Sequence, residues 1–152
     1  MKQFDSDDMY HKIINLPEQI LKSYFEPKIH NPLNFSKLEL KNIDKVIICG
    51  MGGSAISGDI AKVAFGTKLP FEVVKDYKIP FLNENTLVII LSYSGNTEET
   101  VTCLQQSISK TEFVGAITSG GRIKEIVDEN YCWLELFPGL PPRSVIGYLF
   151  FS

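Results

Sequence analysis

Short apolar runs alternate with segments of mixed polarity along most of this sequence. The runs at 45–49, 71–74, 87–91, 113–117 and 131–136 are mainly apolar over their whole length, as strands buried on both faces of a sheet are. Helical spacing occupies 54–65, the segment from about 97 onward, and 122–127. Strands separated by helices indicate βαβ units with right-handed crossovers. The pattern predicts an α/β fold, a three-layer α/β/α sandwich around a five-stranded parallel sheet.

The two ends of the chain have a different pattern. Near the start, Asn15 and Pro17 predict the beginning of a helix, and four apolar residues then share one helical face: Ile20, Leu21, Tyr24 and Phe25. Pro27 and Pro32 interrupt this pattern. We therefore expect a helical lead-in over residues 1–40, followed by the α/β domain over residues 41–152.

Another helix is predicted at the carboxyl end. Pro142 suits a first helical turn, and the residues after it form an apolar face: Val145, Ile146, Leu149 and Phe150. The sequence stops at Ser152 in the middle of this pattern, without a C-cap signal. We expect the chain to be a piece of a longer protein.

Composition narrows the classes of function. Hydrophobic residues make up 44% and charged residues 22%, as in an ordinary globular domain. The net charge of −3 argues against nucleic acid or a membrane surface as a partner. An odd number of cysteines, with Cys49 and Cys132 in apolar runs, favours reduced thiols and a cytoplasmic location. Because His11 and His30 have no metal-ligand spacing, we expect no metal site.

A glycine-rich loop follows the first predicted strand. It reads Gly50-Met51-Gly52-Gly53-Ser54, and its glycines allow the backbone to turn sharply beside a ligand at a helix start. The same residues fit the G-x-G-x-x-G/A fingerprint of dinucleotide-binding domains, with Asp76 near the position of a ribose-binding acid. This loop alone does not separate the two uses.

A hydroxyl-rich loop follows the third predicted strand. Ser92, Ser94 and Thr97 stand just before or at a predicted helix start, capped by Asn96 or Thr97. Hydroxyls and helix-start amides together supply the donors that phosphate oxygens require. Neither loop contains lysine or arginine, which suits a ligand held by hydrogen bonds. Tyr93 either packs or covers the ligand.

Together these motifs resemble the sugar isomerase (SIS) domain, which has a flavodoxin-like fold. The similarity is greatest to the bifunctional phosphoglucose/phosphomannose isomerases and covers the chain from about Lys45 to the end. It rests on residues 50–54, on residues 92–100, and on Pro142-Arg143-Ser144 followed by Gly147-Tyr148-Leu149-Phe150. The second motif is shared by SIS domains generally, and the other two together indicate this subgroup.

The resemblance implies a role for each motif. Six residues would line the sugar-phosphate site, the last three binding the phosphate: Gly52, Gly53, Ser54, Ser92, Ser94 and Thr97. Arg143 would be catalytic, stabilising an enediolate at C1 and C2 of the sugar. The reaction would interconvert glucose 6-phosphate or mannose 6-phosphate with fructose 6-phosphate, without a cofactor. Glu98 and Glu99 are better interpreted as helix-start residues than as catalytic acids.

In this family the general base, a histidine and a lysine come from a second SIS domain and a partner subunit. The resemblance therefore implies a homodimer, and an isolated chain that binds a sugar phosphate without turning it over. Two alternatives remain open from the sequence. One is a stand-alone SIS module that senses a phosphosugar, and the other, less favoured, is an NAD-binding Rossmann domain.

Overall fold

The computed structural model describes residue 5 and residues 8–32, 42–65 and 69–151. The predicted boundary between residues 40 and 41 falls outside the described residues, as does the side chain of Arg143. Within the described residues the chain forms an α/β fold around one sheet. No helix there has both the length and the apolar character needed to cross a membrane.

The sheet has six strands in the order β1-β6-β5-β4-β2-β3. Their bounds are β1 Lys28–His30, β2 Lys45–Cys49, β3 Phe71–Val74, β4 Thr86–Ser92, β5 Val114–Thr118 and β6 Cys132–Glu135. Strands β2 to β6 pair in parallel, which confirms the five predicted strands.

Strand β1 corrects the prediction of a wholly parallel, five-stranded sheet. It pairs antiparallel with β6, with Lys28 opposite Glu135 and His30 opposite Trp133, so that the sheet is mixed. This strand had no signal in the sequence, because three residues are too few to show alternation and Lys28 and Ile29 are exposed. The strand exists because it pairs with an edge made by distant residues.

Helices pack on both faces of the sheet. Their bounds are α1 Met9–Ile14, α2 Leu16–Phe25, α3 Gly52–Phe65, α4 Glu98–Ile108, α5 Gly121–Val127 and α6 Ile146–Phe151. Helix α3 contacts β2, β3 and α6, and α6 in turn packs against α2. Helices α4 and α5 contact β4, β5 and each other. Because right-handed crossovers leave β2 and β4 in opposite directions, the two groups lie on opposite faces.

Two apolar clusters stabilise this arrangement. The larger lies between the sheet and helices α4 and α5, and it includes Ile47, Val88, Leu104 and the fully buried Trp133. The smaller lies beyond the strand ends and contains Tyr93, Leu136, Val145, Tyr148 and Leu149. The predicted apolar face of α6 is therefore buried at Val145 and Leu149.

Helix α2 begins where Asn15 and Pro17 predicted, with Asn15 at the N-cap position. Its apolar face, however, points outward: Leu21 is 56% exposed, and Tyr24 and Phe25 are each 71% exposed. The buried residues of this helix are Gln19 and Ser23. These two polar residues pack against the rest of the chain together with half-buried Leu16 and Ile20.

Candidate functional site

The glycine-rich and hydroxyl-rich loops begin side by side at the middle of the sheet. Strands β2 and β4 are neighbours, and the chain leaves them in opposite directions, toward β3 and toward β5. In doubly wound sheets this switch point is where ligands bind. A Cβ added at Gly50 would lie 3.1 Å from the carbonyl oxygen of Leu91, so a side chain at residue 50 would crowd the neighbouring strand end.

The glycine-rich loop turns directly into helix α3. The helix starts at Gly52, two residues before the predicted start at Ser54, and Gly52 has a left-handed φ of 52°. The amides of Ser54 and Ala55 both donate to the carbonyl oxygen of Met51. Ser54 is buried in this first turn, whereas Gly52 is exposed. The loop therefore presents backbone rather than side chains to a ligand.

The hydroxyl-rich loop is ordered by its own hydrogen bonds. Buried Ser92 accepts a hydrogen bond on Oγ from the Gly95 amide at 3.2 Å, and its Oγ lies 3.3 Å from Thr97 Oγ1. Exposed Ser94 accepts one on Oγ from the Asn96 amide at 3.3 Å. Thr97 occupies the N-cap position of α4, but its side chain makes no capping bond. Its hydroxyl is therefore not used by its own helix.

A third loop, after β5, braces the hydroxyl-rich loop. Gly95 has a φ of 68°, and a Cβ added there would lie 1.7 Å from the carbonyl oxygen of Gly120. Asn96 Oδ1 accepts a hydrogen bond from the Arg122 amide at 3.0 Å. Sequence reasoning missed this loop, although Gly120-Gly121 at a strand end was a usable signal. These contacts fix Ser94 and Thr97 relative to the strands beneath them.

Tyr93 packs into the core of the protein. It is 6% exposed, its hydroxyl donates to the carbonyl oxygen of Phe137 at 2.8 Å, and the hydroxyl accepts from the Leu140 amide at 2.9 Å. Burial raises the pKa of this phenol above its usual value. The sequence left open whether Tyr93 packs or covers a ligand, and these contacts favour packing.

The turn that contains Arg143 lies against the glycine-rich loop. Residues Pro142–Ser144 form a 3-10 turn that precedes α6, rather than the first turn of a longer helix as predicted. A Cβ added at Gly53 would lie 3.2 Å from the carbonyl oxygen of Pro142. The structure thus brings the backbone of Arg143 to the loop that contains Gly52, Gly53 and Ser54.

Two glutamates and two cysteines are among the titratable groups next to the loops. Glu99 and Glu98, in the first turn of α4, raise the pKa of Tyr77, as expected for charged helix-start carboxylates close to it. Beneath the loops, a hydrogen bond with Cys103 and burial raise the pKa of Cys49, which remains a thiol. Among the described residues, no group of three or more histidines, cysteines or carboxylates could hold a metal ion.

The arrangement can bind a compact anion. Three hydroxyls and the first-turn amides of α4 follow strand β4, which lies beside the strand that leads into the glycine-rich loop. These amides have no carbonyl partner within their own helix. Such groups donate hydrogen bonds to the oxygens of a phosphomonoester without requiring a positive side chain. Asp76, the residue that a dinucleotide would need, accepts a hydrogen bond from the adjacent Tyr77 amide at 2.6 Å.

Comparison with proteins of known sequence gives consistent results. The chain is 42% identical over 147 residues to a bifunctional phosphoglucose/phosphomannose isomerase of Caldicellulosiruptor bescii, covering 93% of this chain and 42% of the relative. It is 46% identical over 105 residues to the isomerase of the same name from Thermoplasma acidophilum, covering 68% of this chain and 33% of the relative. The chain thus spans less than half the length of these relatives.

Solved structures show the same fold. The C-terminal domain of glucosamine-fructose-6-phosphate aminotransferase from Francisella tularensis matches with a TM-score of 0.69 at 14% identity, covering 94% of this chain and 45% of that one. Tagatose-6-phosphate ketose/aldose isomerase from Escherichia coli matches with a TM-score of 0.62 at 19% identity, covering 93% and 45%. The SIS domain model matches residues 39–135, well over half the chain, and the chain belongs to the SIS domain family.

Proposed function

We propose that this chain is the sugar-phosphate-binding half of an isomerase that interconverts glucose 6-phosphate or mannose 6-phosphate with fructose 6-phosphate. The observation that carries the proposal is the meeting of the two loops at the switch point between β2 and β4. Ser92, Ser94 and Thr97 hold the phosphate in this proposal. Similarity to bifunctional phosphoglucose/phosphomannose isomerases supports the choice of hexose phosphates.

The chemistry proposed is proton transfer between C2 and C1 of the open-chain sugar. A base removes the proton from C2 of the aldose to give an enediolate, the hydroxyl proton passes from O2 to O1, and a proton returns to C1 to give the ketose. Gly52, Gly53 and Ser54 line the sugar, and the guanidinium of Arg143 stabilises the negative oxygen of the enediolate. Support for Arg143 comes from the contact between its turn and Gly53. In this proposal the base comes from the part of the relatives' sequence that this chain does not cover. We therefore expect no turnover by this chain alone.

Calorimetric titration of the purified chain with fructose 6-phosphate tests the phosphate loop. We expect binding by the wild-type chain and loss of at least about tenfold in affinity in the double variant Ser92→Ala, Ser94→Ala, because two hydroxyl donors disappear. Ser109→Ala is the matched control, since this exposed hydroxyl lies at the other end of α4 and bonds only to the Gln106 carbonyl. NAD is the control ligand.

Each result of this titration bears on the proposal. Equal affinities of the wild type and the double variant for fructose 6-phosphate would show that these serines do not bind phosphate. Binding of NAD that depends on Asp76 would favour the dinucleotide-binding alternative. Isomerase activity of the isolated chain would contradict the claim that its base lies elsewhere.

We also propose that the protein forms a homodimer. Helix α3 supports this with an exposed apolar stripe at helical spacing, Ile56, Ile60 and Val63, of which Val63 is 84% exposed. Analytical ultracentrifugation should show a dimer that Val63→Asp converts to monomer, because a buried unpaired carboxylate is costly at an interface. A wild-type chain that sediments as a monomer at high concentration would exclude this dimer.

A further inference from the structure

One buried amide joins helices α1 and α2 to the arginine turn. Gln19 is 5% exposed, and its Nε2 donates to the carbonyl oxygen of Ser144 at 2.7 Å and to that of Lys12 at 3.2 Å. Lys12 belongs to the last turn of α1. Ser144 follows Arg143 directly. A single side chain therefore connects three segments of the chain.

The orientation of this amide follows from its neighbours. Both partners are carbonyl oxygens, which only accept, so the NH₂ end of Gln19 must face them. Its Oε1 is then buried without a hydrogen-bond partner among the described residues. Ser23, one turn further along the same buried face, has an equally unpartnered Oγ within that part of the chain. The two hydrogen bonds that Nε2 donates are thus the specific polar contacts between this face of α2 and the segments around it.

Close packing brings the amide to the turn. Helix α6 approaches α2 at Gly147, where an added Cβ would lie 2.8 Å from Leu16 Cδ1 and 2.9 Å from Gln19 Cβ. The turn itself is closed locally, because the amide and the hydroxyl of Ser144 both donate to the carbonyl oxygen of Pro141 at 2.9 Å. Gln19 therefore bonds to a turn, residues 141–144, that is already closed by its own hydrogen bonds.

The glycine-rich loop lies against the same turn. The backbone of Gly53 meets the Pro142 carbonyl, and Gln19 bonds to the Ser144 carbonyl. Arg143 lies between these two points in the chain. We propose that Gln19 is a positioning residue for Arg143, keeping the base of its side chain in register with the sugar-phosphate loops. This inference rests on the proposed function, in which Arg143 stabilises the enediolate.

Two probes separate the role of Gln19 from binding of the phosphate. Fructose 6-phosphate reports the ground state, and a phosphorylated five-carbon hydroxamate, whose planar anion resembles the enediolate, reports stabilisation of charge at C1 and C2. The measured quantity is the ratio of the two dissociation constants in the purified 152-residue chain. We expect Arg143→Ala to lower selectivity for the hydroxamate by about tenfold, and Gln19→Met by about threefold to tenfold.

A double-mutant cycle distinguishes positioning from general loosening of the chain. If Gln19 acts through Arg143, Gln19→Met has no further effect on the ratio once Arg143→Ala is present. The same loss in both backgrounds would overturn the inference, as would an unchanged ratio in Gln19→Met. An unchanged ratio in Arg143→Ala, or no binding of either probe by the wild type, would instead overturn the proposed function. Ser23→Ala, a buried polar truncation on the same helix face, should leave both affinities unchanged.

Gln19→Glu gives a second test if Gln19→Met does not fold. A protonated carboxylic acid still donates one hydrogen bond to a carbonyl oxygen, whereas a carboxylate donates none and is repelled by both carbonyls. For Gln19→Glu, the selectivity for the hydroxamate divided by that of the wild type at the same pH should therefore approach one in acid and fall as the pH rises. A ratio that is independent of pH would contradict a role for the hydrogen bonds of Gln19.

Discussion

Helix α4 buries its apolar residues Val101 and Leu104 against the sheet, as amphipathic helices usually do. Helix α2 does the reverse, burying Gln19 and Ser23 against α6 and leaving Phe25 exposed. Both helices have a clear apolar side in the sequence. They differ in the face they bury: that of α4 is apolar, whereas that of α2 contains Gln19 and Ser23 beside half-buried Leu16 and Ile20.

The same contrast extends to the strands. Parallel strands β2 to β6 carry the apolar core, whereas β1 is attached mainly through polar and ring contacts. Asn31 Nδ2, at the end of β1, donates to the carbonyl oxygens of Asp128 and Tyr131, and the His30 ring stacks on Trp133 at 4.1 Å. The N-terminal segment thus uses specific contacts on its inner side and leaves apolar surface outside. The apolar face of α2 therefore did not predict which side of this helix is buried.

Truncation of one apolar residue in each helix gives the largest expected difference. Leu104→Ala, at a fully buried position in α4, should lower the free energy of unfolding by about 2–5 kcal/mol, because it leaves a cavity in a packed core. Phe25→Ala on α2 should change it by less than about 0.5 kcal/mol. Urea denaturation of both variants, at concentrations where sedimentation shows monomer, measures the difference.

Two outcomes would break this comparison. A destabilisation of the monomer by Phe25→Ala as large as that of Leu104→Ala would mean that the outer face of α2 is covered in solution. A small effect of Leu104→Ala would mean that α4 is not held by apolar burial. Leu21→Ala, which truncates another exposed apolar side chain of α2, should have an equally small effect.

The elements that apolar burial holds are those that the sequence could predict. The run at 87–91 became β4, Thr86–Ser92, and Thr97, one of the two predicted cap residues, occupies the N-cap position. Residue type alone reports burial on both faces and the start of a helix. Strand β1 and the direction of α2 depend on distant partners, which a local pattern does not contain. Gly147 is one such partner, since its lack of a side chain admits Gln19.

The candidate site likewise has a part that the sequence could predict and a part that it could not. Ser92, Ser94 and Thr97 could be selected from their residue types at a strand end, and the structure places them together, while their role in binding phosphate remains a prediction. The brace from the third loop was not predictable, because it depends on the distance between Gly95 and Gly120. Local chemistry is visible in a sequence, but the contacts that fix its geometry are long-range.

The smallest expected effect concerns the polar attachment of β1. Glu135 in β6 accepts a hydrogen bond from His30 Nε2 at 3.2 Å and pairs with Lys124 Nζ at 3.5 Å. Burial alone would raise the pKa of this carboxyl, but the bond from His30 and the charge of Lys124 lower it below its usual 4.5. The folded state therefore favours the ionised form. The resulting stabilisation is fully present above about pH 4.5 and is lost as the pH falls through the folded-state pKa.

Removing this carboxylate should loosen β1 without unfolding the core. Glu135→Gln should lower the free energy of unfolding by less than about 1 kcal/mol at neutral pH, since the group is partly exposed, and the difference from wild type should vanish in acid. Glu125→Gln on α5, an exposed glutamate, should show no such pH dependence. In hydrogen exchange, the amides of β1 should lose protection while those of β4 keep it. If β4 loses protection equally, the polar and apolar parts of the molecule unfold as one unit, and the distinction between α2 and α4 concerns geometry alone.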